Sequence, residues 1–238
     1  MKNFFFRLFF VISLFVTGIS SGAQQPQVPV TAGGSSTLPE SGLNNQLPSL
    51  FDFVSAVNQN PQGILAGVYV PGLFADPIVQ QPANNSGYVS TRPGAITQFR
   101  MASKYNSIGL LAHNTAAGAL YQNLSINQVV YLVKSTGEIS AYRITEIQRY
   151  QALSPNSPYS NFINLDRQGL AISAQTLFMD TYGRGGGSLV FQTCIAADGQ
   201  PSWGRLFIIA TPMEDLPAQQ IFLKSIKFSR HFGTNAIL

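Results

Sequence analysis

The chain has 238 residues, 45% of them hydrophobic and only 10% charged, with a formal net charge of +4. Lys2 and Arg7 supply two of those charges, leaving about +2 for the rest (4 minus 2), and no basic run interleaves with aromatics; nucleic-acid binding is excluded. The length suffices for one domain with a real core, and a single cysteine, Cys194, rules out a disulfide framework.

Residues 1–23 read as an export signal. Lys2 and Arg7 form a positive start, and residues 8–19 an apolar run shorter than the ~20 residues that span a bilayer. Small residues, Ser20-Ser21-Gly22-Ala23, follow where a signal peptidase cuts. As a signal peptide or a signal anchor, this segment places the remainder outside the cytoplasm, secreted or held at the outer face of the cytoplasmic membrane. Residues 24–49, rich in Pro, Gly, Ser and Gln, bury too little to fold alone and form a linker. One domain is expected over 50–238.

From Gly67 the pattern is β. Val68-Tyr69-Val70 stops at Pro71-Gly72, and Asp76-Pro77 and Arg92-Pro93-Gly94 read as turns. Residues 108–112 make a buried strand that ends at His113, and a short helix over 116–123 follows. Residues 129–133 and 139–147 pair as a hairpin around Gly137. A long stretch, 148–188, holds Ser154-Pro155, Ser157-Pro158 and a helix over 174–182, with Ser173 as N-cap and Gly183 just past its end. The glycine run that follows lacks the Gly-Lys-Ser/Thr of a phosphate loop. Strands over 189–193 and 206–210 flank a turn-rich loop, 195–204. Many short strands with few helices indicate a closed or nearly closed all-β barrel.

If the last two strands pair antiparallel, facing residues sum to 399, so Cys194 faces Arg205 on the same side as Gln192 and Phe207. Both would lie at the open end of the pair, a rigid edge beside loops. An idle thiol is a liability in an oxidising compartment. A neighbouring guanidinium favours the thiolate, the reactive form, and can also donate to the oxygen of a tetrahedral intermediate. His113, at a strand end, is the candidate acid/base; His231, in a polar stretch, reads as a surface residue. One cysteine and two distant histidines do not make a zinc site, and no cofactor is expected.

The order strand–His–helix, hairpin, long loop, strand ending in Thr-Cys, then a strand led by Arg resembles the sortase family. Leu110-Leu111-Ala112-His113 is similar to its histidine motif, residues 120–133 to the segment after it, Thr193-Cys194 to the end of its Thr-Leu-x-Thr-Cys signature, and Arg205 to its arginine. The similarity runs over about 66–212. Ala112 stands where sortases often carry Gly, and Val190-Phe191 replaces Thr-Leu, without loss of a reacting group. The resemblance implies an eight-stranded barrel and a cysteine transpeptidase that cleaves a sorting-signal peptide near a Thr–Gly-type bond. Cys194 would form a thioacyl enzyme, His113 would move protons, and Arg205 would hold the oxyanion. Thr193, Pro155 and Tyr159 would contact substrate, together with the helix over 174–182. The acceptor would be an amine of a cell-wall precursor or of another protein. Leu38-Pro39-Glu40-Ser41-Gly42 is similar to a sorting signal, although its composition is that of an ordinary linker. Two alternatives stand beside this: a cysteine endopeptidase that stops at hydrolysis, and a catalytically silent barrel serving as a surface binding module.

Overall fold

The computed structural model describes residues 47–58, 61–167 and 169–213. The expected signal segment, most of the linker, the 38–42 motif and His231 lie outside the described residues. Helix α1 (Leu50–Val57) comes first, its N-terminus capped by Ser49 Oγ, which accepts the Asp52 N–H at 3.2 Å. Then follow β1 (Leu65–Val70), β2 (Phe74–Gln80), β3 (Ile96–Phe99), the single turn α2 (Arg100–Ser103) and β4 (Ser107–Leu111). A 3₁₀ helix, Ala117–Asn123, leads to β5 (Val129–Lys134), β6 (Ile139–Ala152) and β7 (Phe162–Asn164). Helix α3 (Ala174–Thr181), a 3₁₀ turn (Tyr182–Arg184), β8 (Ser188–Ala197) and β9 (Gln200–Pro212) complete the chain.

The strands order as β5-β1-β2-β3-β4-β8-β9-β6, and β5 pairs again with β6, which closes an eight-stranded barrel. This is the architecture the sequence implied. The long β6 makes closure possible: its first residues pair with β5, and its last, Tyr150–Ala152, pair with β7. Closure leaves no unpaired edge among the barrel strands. Pro77, read from the sequence as part of a turn, lies inside β2. It is tolerated because the β2–β3 ladder begins only at Ile78.

Leu189-Val190-Phe191 is apolar without alternation because both faces of β8 are covered. Leu189 and Phe191 fill the barrel with Phe74, Leu110, Tyr121 and Ile208. Val190 packs outside it with Phe99, Phe178, Tyr182 and Phe207. Helix α3 supplies that outer cover. Ser173 caps it as expected, accepting from the Thr176 N–H at 3.1 Å. Gly183 does not end it: the chain tightens into the 3₁₀ turn, and the left-handed residue is Gly185 (φ +70°). A Cβ at Gly183 would meet the end of the Met179 side chain, 2.7 Å from Cε. Helix α1, absent from the sequence expectation, buries Phe53 and Val54 against β1 and β5. Among the described residues no helix is long and apolar enough to cross a membrane.

Candidate active site

The β8–β9 ladder has the expected register, with Gln192 opposite Phe207 and Cys194 opposite Arg205. The expected open end is not there. The strands run on to Ala197 and Gln200, joined by Asp198-Gly199 in left-handed conformations (φ +51° and +72°), the signature of a tight primed hairpin turn. Pro201 and Gly204 disguised this in the sequence, because each weakens a strand reading. Beyond the Ile195–Gly204 pair the register shifts, and Pro201, Ser202 and Trp203 face Ala196 alone. The bulge frees main-chain groups from the ladder, and Arg205 uses one of them. Its Nη1 donates to the carbonyls of Ser202 and Gly204, both at 2.8 Å, and Nη2 to Pro155 at 3.5 Å. Its Nε–H is buried without a partner. The guanidinium is 1% exposed, and its hydrogen-bond partners are neutral carbonyls.

His113 approaches from the other side of Cys194. The parallel β4–β8 ladder pairs Ser107 with Ser188 through Leu111 with Gln192, a constant offset of 81. Two contacts carry the alignment one step further. Ala112 N donates to Gln192 O at 3.2 Å, and Thr193 Oγ1 donates to Ala112 O at 2.9 Å. The same offset puts His113 beside Cys194. Residues so aligned share a face: Leu110 and its partner Phe191 fill the barrel, while Leu111, the partner of Gln192, lies outside with Val190, one alternation away on β8. Cys194 and Arg205 therefore share a rung on the outer face, and the β4–β8 offset, extended two residues past the end of β4, aligns His113 with that rung.

Cys194 is 4% exposed yet belongs to neither apolar cluster of that barrel wall. Burial pushes its thiol up, and the Arg205 charge pulls against that shift. Burial pushes His113 below the usual imidazole value, opposed by a backbone hydrogen bond at Val89. At neutral pH the pair therefore rests as thiol and neutral imidazole. Nε2 of His113 is buried and unpartnered.

The remaining site residues separate. Pro155 reaches Arg205 through its carbonyl. Its loop is drawn in by Leu153 N to Asn161 O and Ser154 N to Ser160 Oγ, both 2.9 Å. Tyr159 lies on the same loop, 61% exposed, and its ring is not brought to Cys194 by any contact. Thr193 points the other way: one residue from Cys194, it faces the barrel side, buried, with its hydroxyl bonded to Ala112. That placement ties the histidine strand to the cysteine strand and offers no surface to a peptide, a correction that strand alternation explains. Two residues escaped the sequence reading. Gln192, whose face the register gave but whose role it did not, accepts from the buried Tyr182 hydroxyl at 2.7 Å and bolts the α3 cover to β8. Gly118 is forced by contact, since a Cβ there would stand 2.4 Å from Thr193 Oγ1 and 2.7 Å from His113 O; no local signal marks it. Among the described residues no three His, Cys, Asp or Glu side chains gather as a metal-binding group.

No family model matches the chain, and no curated protein matches it significantly. Solved structures it is similar to include sortases. Sortase C1 of Streptococcus agalactiae matches at 14% identity, over 67% of this chain and 72% of that one, with a TM-score of 0.40. A lid mutant of sortase A from Corynebacterium diphtheriae matches at 13%, over 70% and 80%, with a TM-score of 0.42. Sortase A of Listeria monocytogenes matches at 10%, over 66% and 93%, with a TM-score of 0.40. At such identities the chemistry of this chain rests on its own side chains.

Proposed function

We propose that the chain is an extracytoplasmic cysteine transpeptidase of the sortase type. The supporting observation is the register: an antiparallel ladder sets Arg205 across from Cys194, and a parallel one leads His113 to the same level and face. His113 takes the Cys194 proton as the sulfur attacks a peptide carbonyl. The oxygen that becomes negative is met by Arg205, whose Nε–H has no protein partner to give up. The imidazolium then protonates the departing amine, which leaves a thioester on Cys194. An incoming amine, deprotonated by His113, displaces the sulfur and forms the new amide. Sorting-signal proteins are the donors, and a cell-wall precursor or protein amine the acceptor. The export signal places the reaction at the cell envelope, with residues 1–23 as leader or anchor.

Purified protein incubated with a pentapeptide library and several amines, followed by mass spectrometry of products and enzyme, tests this. A thioester-mass adduct on the parent, absent in Cys194→Ala at unchanged Tm, is expected. Products without incorporated amine would identify an endopeptidase instead. The deep burial of Cys194 favours one other reading, a silent barrel used as a binding module. Thiol labelling across pH separates the two: a silent barrel gives the same profile with and without His113.

A further inference from the structure

Of the three proposed reacting groups, a ladder holds only two. β8 and β9 stay paired past Cys194 and Arg205. β4 stops at Leu111, and the chain then turns toward the 3₁₀ helix, so His113 has no rung of its own. Ala116 N and Gly118 N close this turn by donating to His113 O at 2.9 and 3.0 Å. Among the described residues, two side-chain hydrogen bonds tie the turn to the β8–β9 hairpin, one on each side of His113. Thr193 holds Ala112, and Asn114 Nδ2 donates to Pro201 O at 3.0 Å.

The second bond ends on the bulge. Pro201 and Ser202 are adjacent in the stretch that faces Ala196 alone. The Ser202 carbonyl holds Arg205, and the Pro201 carbonyl holds Asn114. One irregularity of β9 thus supports the guanidinium and the histidine turn together. The imidazole itself has a backbone hydrogen bond at Val89, while its buried Nε2 has no partner.

We propose that Asn114 is a positioning residue: by donating to Pro201 it sets the His113 imidazole in the same frame that holds Arg205. Its consequence for rate rests on the catalytic reading; its geometry does not. The bond needs an N–H, so Asn114→Asp, equal in size, puts a carboxylate against a carbonyl and behaves like Asn114→Ala.

The experiment has two readouts on parent, Asn114→Ala, Asn114→Asp and His113→Ala. One is Cys194 alkylation by iodoacetamide across pH. The other is the NMR resonance of the His113 ring, assigned by its loss in His113→Ala. In both Asn114 variants the ring resonance moves, and the His113-dependent part of the alkylation rate falls roughly fivefold, the scale of one hydrogen bond. Tm shifts by less than about 4 °C. An unmoved resonance, or alkylation that keeps its full His113 dependence, overturns the proposal. Alkylation that lacks His113 dependence even in the parent, with the resonance moved, removes the catalytic reading and leaves the Asn114 restraint standing.

Discussion

The wall that carries Cys194 and Arg205 is held by a ladder of backbone bonds; the turn that carries His113 keeps one such bond to β8, Ala112 N to Gln192 O, and otherwise depends on side chains. Rungs on both sides of the Cys194–Arg205 pair fix the first wall, and main-chain bonds survive most side-chain changes. The second wall depends on Thr193, Asn114 and a contact that only glycine permits at position 118. A strand interior sets Cys194 against Arg205, while His113 rides on a turn that individual residues keep in place. Substitutions in the first wall should therefore remove chemistry at its source, and those in the second should misplace a group that is still present.

The largest effect is expected from Arg205→Ala. It takes a donor from the developing oxyanion, about 10²–10³ in rate. It also strips the Ser202 and Gly204 carbonyls of their partner, roughly 1–3 kcal/mol of stability. Product formation and chemical denaturation read the two separately; activity within tenfold of the parent would show that the guanidinium is structural only. Gly118→Ala comes next, because its Cβ would overlap Thr193 Oγ1 and the carbonyls of Ala112 and His113. A loss of about 1–3 kcal/mol from overpacking is expected, with the transfer rate falling further than stability explains. A fully active Gly118→Ala would mean that the turn tolerates displacement, and the contrast between the walls would collapse.

The smallest effect, a shift in pH dependence, separates the walls most cleanly. The active form pairs the Cys194 thiol with a neutral His113 that can take its proton, so the rate follows a bell. Its acid limb lies below the ordinary imidazole value, because burial lowers His113, and its alkaline limb above the ordinary thiol value, because burial raises Cys194. Removing Arg205 deletes the charge that opposes the thiol shift, so the alkaline limb moves up while the acid limb stays. A shift of both limbs in Arg205→Ala would show that the walls are coupled.

Much of the barrel was legible because turn residues and apolar runs are local signals. The 129–133 and 139–147 hairpin, the Ser173 cap and the 399 register all followed from neighbours in sequence. Three features did not. Helix α1 is short, and its apolar face is completed by β5, far along the chain, as well as by the neighbouring β1. β2 contains a proline that only its particular ladder accommodates. The hairpin past Cys194 was hidden by Pro201 and Gly204, residues a bulge accepts and a regular strand rejects. At the site, the cysteine, histidine and arginine were legible as rare reactive types in a chain poor in charge. The facing of Thr193 was misread, and the clamping roles of Asn114 and Gly118 could not be seen.

What the sequence determined by itself was the chemistry available: one thiol, a strand-end imidazole and a guanidinium, with the strand register that pairs two of them. What only the tertiary structure decided was how the third arrives and how the other two are shielded. A parallel pairing with a register offset of 81 residues leads the chain to His113, and burial shifts both titrating groups. Parallel partners and buried environments are made by chain segments far apart in sequence, and no local pattern of residues encodes them.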